Sequence, residues 1–319
     1  MNSINHQHLT ILQSVSAQAR SISQIAEDIG LSNGRTSTLV TELKQNGFLE
    51  KDRQGNSVYA YFSDHLFAEY LRRIILKDNI DVSALFSRPC FDILITISDR
   101  DVSLERIAVE LKVKRSKVSK CLLEMEEKGF LRKHSDKVRL SSSLSDLAWF
   151  AKTYYSYCNT RRLREISERG IIMWEAPREF IFAVPVGEDV ANIAVTGISA
   201  LANQGIDIVS DKVYYHYFDS ERELREEDIP LDIILASNSR PRGILYALLY
   251  LRKIDGFDRR SLLSRGKELG LEKTVRDLLR FLEGKKPKSK GFPSEEEFLA
   301  ICAQYGVGQS RESSLRRQT

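Results

Sequence analysis

The sequence predicts a mixed α/β chain: two tandem units of three helices plus a β-hairpin, a linking helix, and a C-terminal α+β domain. Three observations predict it. The pattern from Ile25 to Leu49 recurs 82 residues later without a gap: Ile25 matches Ile107, Ala26 matches Ala108, Leu31 matches Val113, Arg35 matches Lys117, and Gly47-Phe48-Leu49 matches Gly129-Phe130-Leu131. A repeat that keeps apolar, small and turn residues in phase marks one supersecondary unit used twice. Within each copy, helical apolar spacing gives way to two short strand-like runs around a turn signal. Past Gly170 the period changes again, and the 319 residues leave room for two or three domains.

The elements follow in order. Leu9, Ile11, Leu12 and Val15 place a first helix between about Ile4 and Ala17. Ser21 or Ser23 can cap a second helix running to Ile29, because a hydroxyl there accepts from the orphan amides of the first turn. Gly30 supplies the positive φ that a sharp turn between helices requires. A third helix from about Asn33 to Asn46 buries Leu39, Val40 and Leu43, and Gly47 ends it. Phe48 to Lys51 and Val58 to Phe62 then read as a hairpin around Arg53-Gln54-Gly55-Asn56. His65 to Asn79 is an amphipathic helix with Leu66, Tyr70, Ile74 and Ile75 on one side. Arg88-Pro89 opens the second copy, Ser103 caps its second helix, and Lys112 stands where the first copy has Gly30. Its hairpin, Arg132 to Leu140, is shorter.

Three helices and a hairpin, with the second and third helices forming a helix-turn-helix, resemble the winged helix domain and in particular transcription regulators of the MarR and ArsR type. The residues carrying the resemblance are Ala26, where a small side chain lets helices cross closely, Gly30 in the turn, Leu39 in the third helix, and Gly47-Phe48-Leu49 at the entry to the wing. It covers about Ile4 to Asp64 and Ser87 to Leu140. The division expected from it is 1–64 for the first winged helix unit, 65–86 for a linking helix and 87–145 for the second unit. A long linking helix at 146–170 follows, then the α+β domain at 171–283. A basic flexible linker, short helix and disordered tail fill 284–319.

The resemblance implies double-stranded DNA as partner, with the third helix in the major groove and its N-terminal side chains at base edges. In the first copy the candidates are Asn33, Arg35, Thr36, Ser37 and Thr41, joined by Lys44 and by Arg53 of the wing. Arginine can bind guanine bidentately and asparagine can read adenine. In the second copy they are Lys114, Arg115, Ser116, Lys117, Ser119 and Lys120, with Arg132, Lys133, Lys137 and Arg139 on the wing. Lysine is a point charge with little geometric selectivity, so this copy suits phosphate better than sequence. Charge distribution agrees: Met1 to Asp64 holds 5 Lys+Arg against 6 Asp+Glu, whereas Ser87 to Ser145 holds 13 against 9. The first copy is expected to read and the second to hold. Winged units also serve as protein-docking scaffolds, and a basic helix face alone is often merely solvated.

Leu147, Phe150, Ala151, Tyr154, Tyr155 and Cys158 give the helix from Asp146 to Gly170 an aromatic face, expected to meet either the C-terminal domain or a second subunit or protein partner. Beyond it, Phe180 to Pro185 and Val213 to Phe218 read as strands with a helix from about Val190 to Gln204 between them. Asp232 to Leu235 is an apolar segment of ambiguous type. Gly243 to Lys253 and Ser261 to Glu283 are helical. Lys267 to Leu282, with its Gly270-Leu271 turn, reads more simply as a helical hairpin than as a third helix-turn-helix. Asn192 to Gly205 with Asp207 and Asp211 is faintly similar to nucleotidyltransferase-like antitoxin domains. In this sequence, however, Ile198 separates Gly197 from Ser199 and the two carboxylates lie four residues apart, so neither the phosphate loop nor the metal pair is reproduced and no catalysis is expected. An antitoxin-like autorepressor, with a rear domain that docks a protein, is the main alternative to an effector-sensing regulator.

The acidic cluster Glu221 to Asp228 reads as a solvated face. His6 and His8 near the terminus suggest no metal, and His216 among strand tyrosines reads as a packed or surface residue. Cys90, Cys121, Cys158 and Cys302 show no paired spacing and read as buried free thiols of a reducing compartment. With no signal-like leader and no apolar run of spanning length, a cytoplasmic protein without cofactor, metal or membrane contact is expected.

Overall fold

The computed structural model describes residues 4–77, 81–87, 89–98, 100–134, 136–219, 222–254 and 256–307. Arg88, Glu221 and the expected tail beyond Val307 lie outside the described residues. The chain divides into two compact units, Met1–Cys158 and Asn159–Thr319, and its helices and small antiparallel sheets make it mixed α/β.

The first unit begins with α1 (His6–Ser14), β1 (Arg20–Ser21), α2 (Ile22–Ile29), α3 (Asn33–Gln45), β2 (Leu49–Gln54) and β3 (Ser57–Phe62). Ser21 caps α2 in a capping box with Gln24. Gly30 takes φ +67, which lets the Leu31 amide donate to the Ala26 carbonyl at 3.0 Å and turns the chain directly into α3. Buried Thr36, Leu39, Val40 and Leu43 form the inward stripe of α3. Gly47, at φ +76, carries the chain into β2, where Leu49 pairs with Phe62 and Gln54 with Ser57. β1 pairs with the free edge of β3, Arg20 opposite Ala60.

α4 (Leu66–Ile75) follows. It buries Phe67, Ala68, Leu71 and Ile74, whereas Leu66, expected on the inner face, is 62% exposed. A 3-10 turn at Val82–Phe86 leads to the second copy: α5 (Cys90–Thr96), β4 (Val102–Ser103), α6 (Leu104–Glu110), α7 (Arg115–Glu127), β5 (Leu131–His134) and β6 (Lys137–Leu140). Main-chain bonds repeat those of the first copy, from the Val113 amide to the Ala108 carbonyl at 3.0 Å and from the Phe130 amide to the Met125 carbonyl at 2.8 Å.

α8 (Ser145–Ile166) follows; its residues up to Cys158 belong to the first unit and the rest to the second. Phe150 and Tyr154 are buried in one core shared by the two copies; the Tyr154 ring lies 5.2 Å from Phe48 of the first and 5.4 Å from Phe91 of the second. The aromatic face expected to meet a partner is thus already covered by the first unit's own core. The reason is size: each copy is too small to enclose its aromatic residues alone.

In the second unit β7 (Ile171–Ala176), β8 (Glu179–Pro185), β9 (Ala194–Val195) and β10 (Lys212–Phe218) form an antiparallel sheet in the order β7-β8-β10-β9. The helix expected between Val190 and Gln204 is instead β9 and a 3-10 helix at Gly197–Gln204. Asn192 at φ +61 and Gly197 at φ +57 break helical continuity, and the Ser199 hydroxyl accepts from the Tyr214 amide of β10. The ambiguous apolar segment lies inside α9 (Asp228–Ala236), where Pro230 falls in the first turn and removes no needed amide. α10 (Pro241–Lys253), α11 (Arg259–Glu268), α12 (Glu272–Leu282) and α13 (Glu295–Gln304) complete a helical core. The basic segment after α12 is anchored at one point: amides of Lys288 and Ser289 donate to the buried Asp277 carboxylate, each at 2.9 Å.

Candidate nucleic-acid interface

In the first copy, the Ser32 hydroxyl accepts from the Arg35 amide and starts α3. Asn33 and Arg35 follow in the first turn, both exposed, and the Arg35 guanidinium donates to Gln7 Oε1 at 2.9 Å. Thr36 does not join them. It sits on the inward stripe with 0% exposure, and its hydroxyl has no hydrogen-bond partner among the described residues. The i, i+3, i+4, i+7 spacing with Leu39, Val40 and Leu43 dictates this, so Thr36 is removed from the candidate surface. Ser37 and Thr41 are half-buried: the Thr41 hydroxyl donates to the Ser37 carbonyl at 2.7 Å and accepts from Lys51 Nζ at 2.5 Å. Burial, with Lys44 nearby, pulls the Lys51 ammonium below its ordinary pKa. Lys44 pairs with Glu50 at 2.9 Å, and Arg53 donates to the Gly55 carbonyl in the hairpin turn.

The second copy is barer. Lys114, Arg115, Ser116, Lys117, Ser119 and Lys120 are all exposed, around an inward stripe of Val118, Cys121, Leu122 and Met125. Arg115 pairs with Glu105 at 2.9 Å, while Lys114, Lys117 and Lys120 form no ion pair among the described residues. On the hairpin, Arg132 stands directly opposite Arg139 and His134 opposite Lys137. Arg132 and Arg139 are both exposed, and like charges facing one another across strands are destabilising. Lys133 pairs with Glu126 of α7, and Lys137 is half-buried. Sequence reasoning missed Gln7 and Lys51 as supports. Both act across elements, so nothing in the local pattern announces them.

The second unit holds a buried charged network. Glu179 of β8, His216 of β10, Asp228 and Asp232 of α9 and Arg265 of α11 are each at most 8% exposed. His216 Nδ1 lies 2.8 Å from Asp232 Oδ2, which also accepts from the Thr196 hydroxyl at 2.5 Å. Arg265 donates to Glu179 at 2.6 Å and to Asp228 at 3.3 Å, and Arg222 donates to Asp228 at 2.5 Å. Burial pushes the His216 pKa down, but Asp232 and Glu179 outweigh it and raise the pKa to about 9. Burial likewise works against the Glu179 carboxylate, yet Arg265 and His216 hold its pKa well below the usual range. Asp228, expected on a solvated face, is therefore a core residue, neutralised by two arginines. Such pairing is what permits charge in a core. Its members come from β8, β10, α9 and α11, so sequence spacing could not have assembled them.

Residues 190–307, all within the second unit, match the family described as HVO_2833_C, C-terminal. No curated protein matches the chain. Among solved structures, a hypothetical protein, PyrSV_gp04, from Pyrobaculum spherical virus is similar at 15% identity over 68% of this chain and 97% of that one; with a TM-score of 0.16 the likeness carries no fold argument. No helix among the described residues is long and apolar enough to cross a membrane.

Proposed function

We propose that the chain is a sequence-specific double-stranded DNA-binding transcription regulator whose first unit carries two winged helix modules. The observation that supports this best is the second copy's surface. Exposed Lys114, Lys117 and Lys120 on α7 have no carboxylate partners among the described residues, and Arg132 faces Arg139 on the adjoining hairpin. A polyanion relieves both arrangements at once, since phosphates supply the missing counter-charge. The first copy is the reader: Arg35 is held by Gln7 at the start of α3, next to exposed Asn33. One chain thereby presents two unlike recognition helices, which suits an asymmetric or imperfectly repeated site.

Binding of selected and random duplexes over a salt series tests the reading. Neutralising Lys114, Lys117 and Lys120 together is expected to weaken binding to every duplex and to reduce the log–log salt slope by roughly 2 to 3. Arg35→Ala is expected to leave the salt slope nearly intact and cost about 1–3 kcal/mol of discrimination at one base pair. Absence of duplex affinity at low salt sinks the function. Equal effects of both variants on selected and random duplexes sink the division of roles.

A further inference from the structure

The pair α11–α12 repeats the turn found twice in the first unit. Its Leu271 amide donates to the Gly266 carbonyl at 2.7 Å around Gly270 at φ +72, as Leu31 does to Ala26 around Gly30 and Val113 to Ala108 around Lys112. In all three, a small residue four positions before the left-handed residue lies at the crossing, and a second helix follows directly. At Gly266 the crossing is close: a Cβ there would meet Val275 Cγ2 at 2.5 Å. Val275, Leu278 and Leu279 are the buried stripe of α12, equivalent to Thr36, Leu39 and Val40 with a turn one residue shorter.

This pair, together with the loop after α12, is also where the chain's charge is concentrated. Arg259 to Lys290 contains 11 Lys+Arg against 4 Asp+Glu, a surplus larger than the net +4 of the whole chain. A groove of about 820 Å³ runs between α11, α12 and the loop after α12, lined by Lys267, Lys273, Arg276, Arg280 and Lys288. Its carboxylates are already engaged. Glu272 holds Arg276 at 2.7 Å, Glu283 holds Arg259 and Lys285 at 2.8 Å each, and Asp277 accepts the loop amides. Lys267, Lys273 and Lys288 form no ion pair among the described residues, and all three are exposed.

We infer that this groove is a second, separate DNA contact that binds the sugar–phosphate backbone of a duplex without reading its sequence. Exposed lysines contributed by two helices and a loop fit a row of phosphates. A single small anion would call for converging, buried donors instead. The proposed function supplies only the identity of the polyanion; the charge and the groove stand without it.

The test uses the full chain and a random-sequence duplex, with affinity measured over a salt series in two backgrounds: unaltered, and carrying K114Q, K117Q and K120Q. Adding K267Q, K273Q and K288Q is expected to reduce the log–log salt slope by roughly 2 to 3 in both. Amine-reactive labelling of the unaltered protein is expected to show Lys267, Lys273 and Lys288 protected by duplex, a readout independent of how the variants fold. Unchanged slopes together with unprotected lysines overturn the inference. So does protection by inorganic phosphate alone at the same site, or by single-stranded RNA in preference to duplex. If the groove variant weakens binding while the α7 variant does not, the first unit's role falls and this one stands. The reverse result removes this one alone.

Discussion

The two copies in the first unit share an order of elements and their turn hydrogen bonds, and differ in what they place on them. Both turn through a left-handed residue between their helices, at Gly30 with φ +67 and at Lys112 with φ +52, and both end the third helix at a left-handed glycine, Gly47 or Gly129. At three points the second copy departs from the locally favoured choice. A lysine occupies a conformation that costs a side-chain-bearing residue about 1 kcal/mol. Lys114 replaces the capping Ser32 and makes no side-chain cap bond. Arg132 faces Arg139 where the first hairpin pairs Glu50 with Tyr61. Every departure places a cation. Local rules broken repeatedly in one direction indicate that the surface serves something other than folding.

The two glycines after the third helices should divide the copies most strongly. Their φ values are nearly equal, but a Cβ on Gly47 would meet the Tyr157 ring at 2.7 Å, whereas one on Gly129 would meet nothing within 4 Å. Gly129→Ala therefore reports backbone strain alone, about 1 kcal/mol. Gly47→Ala adds displacement of a packed ring and is expected to cost about 3 kcal/mol in all. Chemical denaturation of both variants measures the difference; equal losses would show that Tyr157 yields freely and that packing at the first copy is no tighter than at the second.

Much of the first unit's local structure was legible because it rests on short-range signals. Ser21, Gly30, Gly47 and the apolar stripe of α3 each determine structure within a few residues, and the ungapped repeat projects them onto the second copy. Thr36 lies in the first turn of α3, where recognition residues are expected, yet it also falls on the stripe of Leu39, Val40 and Leu43, and the stripe decides its burial. Less was legible in the second unit. Asp228 reads as part of an exposed acidic run until Arg265 arrives from 37 residues away, and Glu179 is neutralised by the same arginine from 86 away. The charge surplus around α11 and α12 is visible in the sequence, where its last part reads as a basic linker; only the fold brings that part beside Lys267 and Lys273 in one groove.

A medium effect is expected at the cap. Lys114→Ser restores the residue type of the first copy and is expected to stabilise the first unit by about 1 kcal/mol through a hydrogen bond to an orphan amide. It is expected at the same time to lower the salt slope of duplex binding by about 1. Opposite signs for stability and binding are the signature of a cap given up for a cation. Thermal denaturation and a salt titration on the same sample decide it, and a variant gaining stability with unchanged binding would make Lys114 a neutral substitution.

The smallest stabilisation expected, that of Thr36→Val, separates reading from packing in α3. Thr36 and Val118 occupy the same position in the two copies, both buried at 0% exposure, but the Thr36 hydroxyl finds no partner among the described residues. A buried donor without a bond is unfavourable, and replacing it with a methyl of similar shape removes that penalty. Thr36→Val is expected to raise stability by about 0.5–1 kcal/mol, and Val118→Thr to lower it by about 1–2 kcal/mol. Because Thr36 faces the core, Thr36→Val is also expected to leave duplex affinity and base preference unchanged, unlike Arg35→Ala three bonds of chain away. Denaturant titration of the reciprocal pair, with binding measured alongside, tests both halves. A loss of base preference in Thr36→Val would return that hydroxyl to the proposed recognition surface.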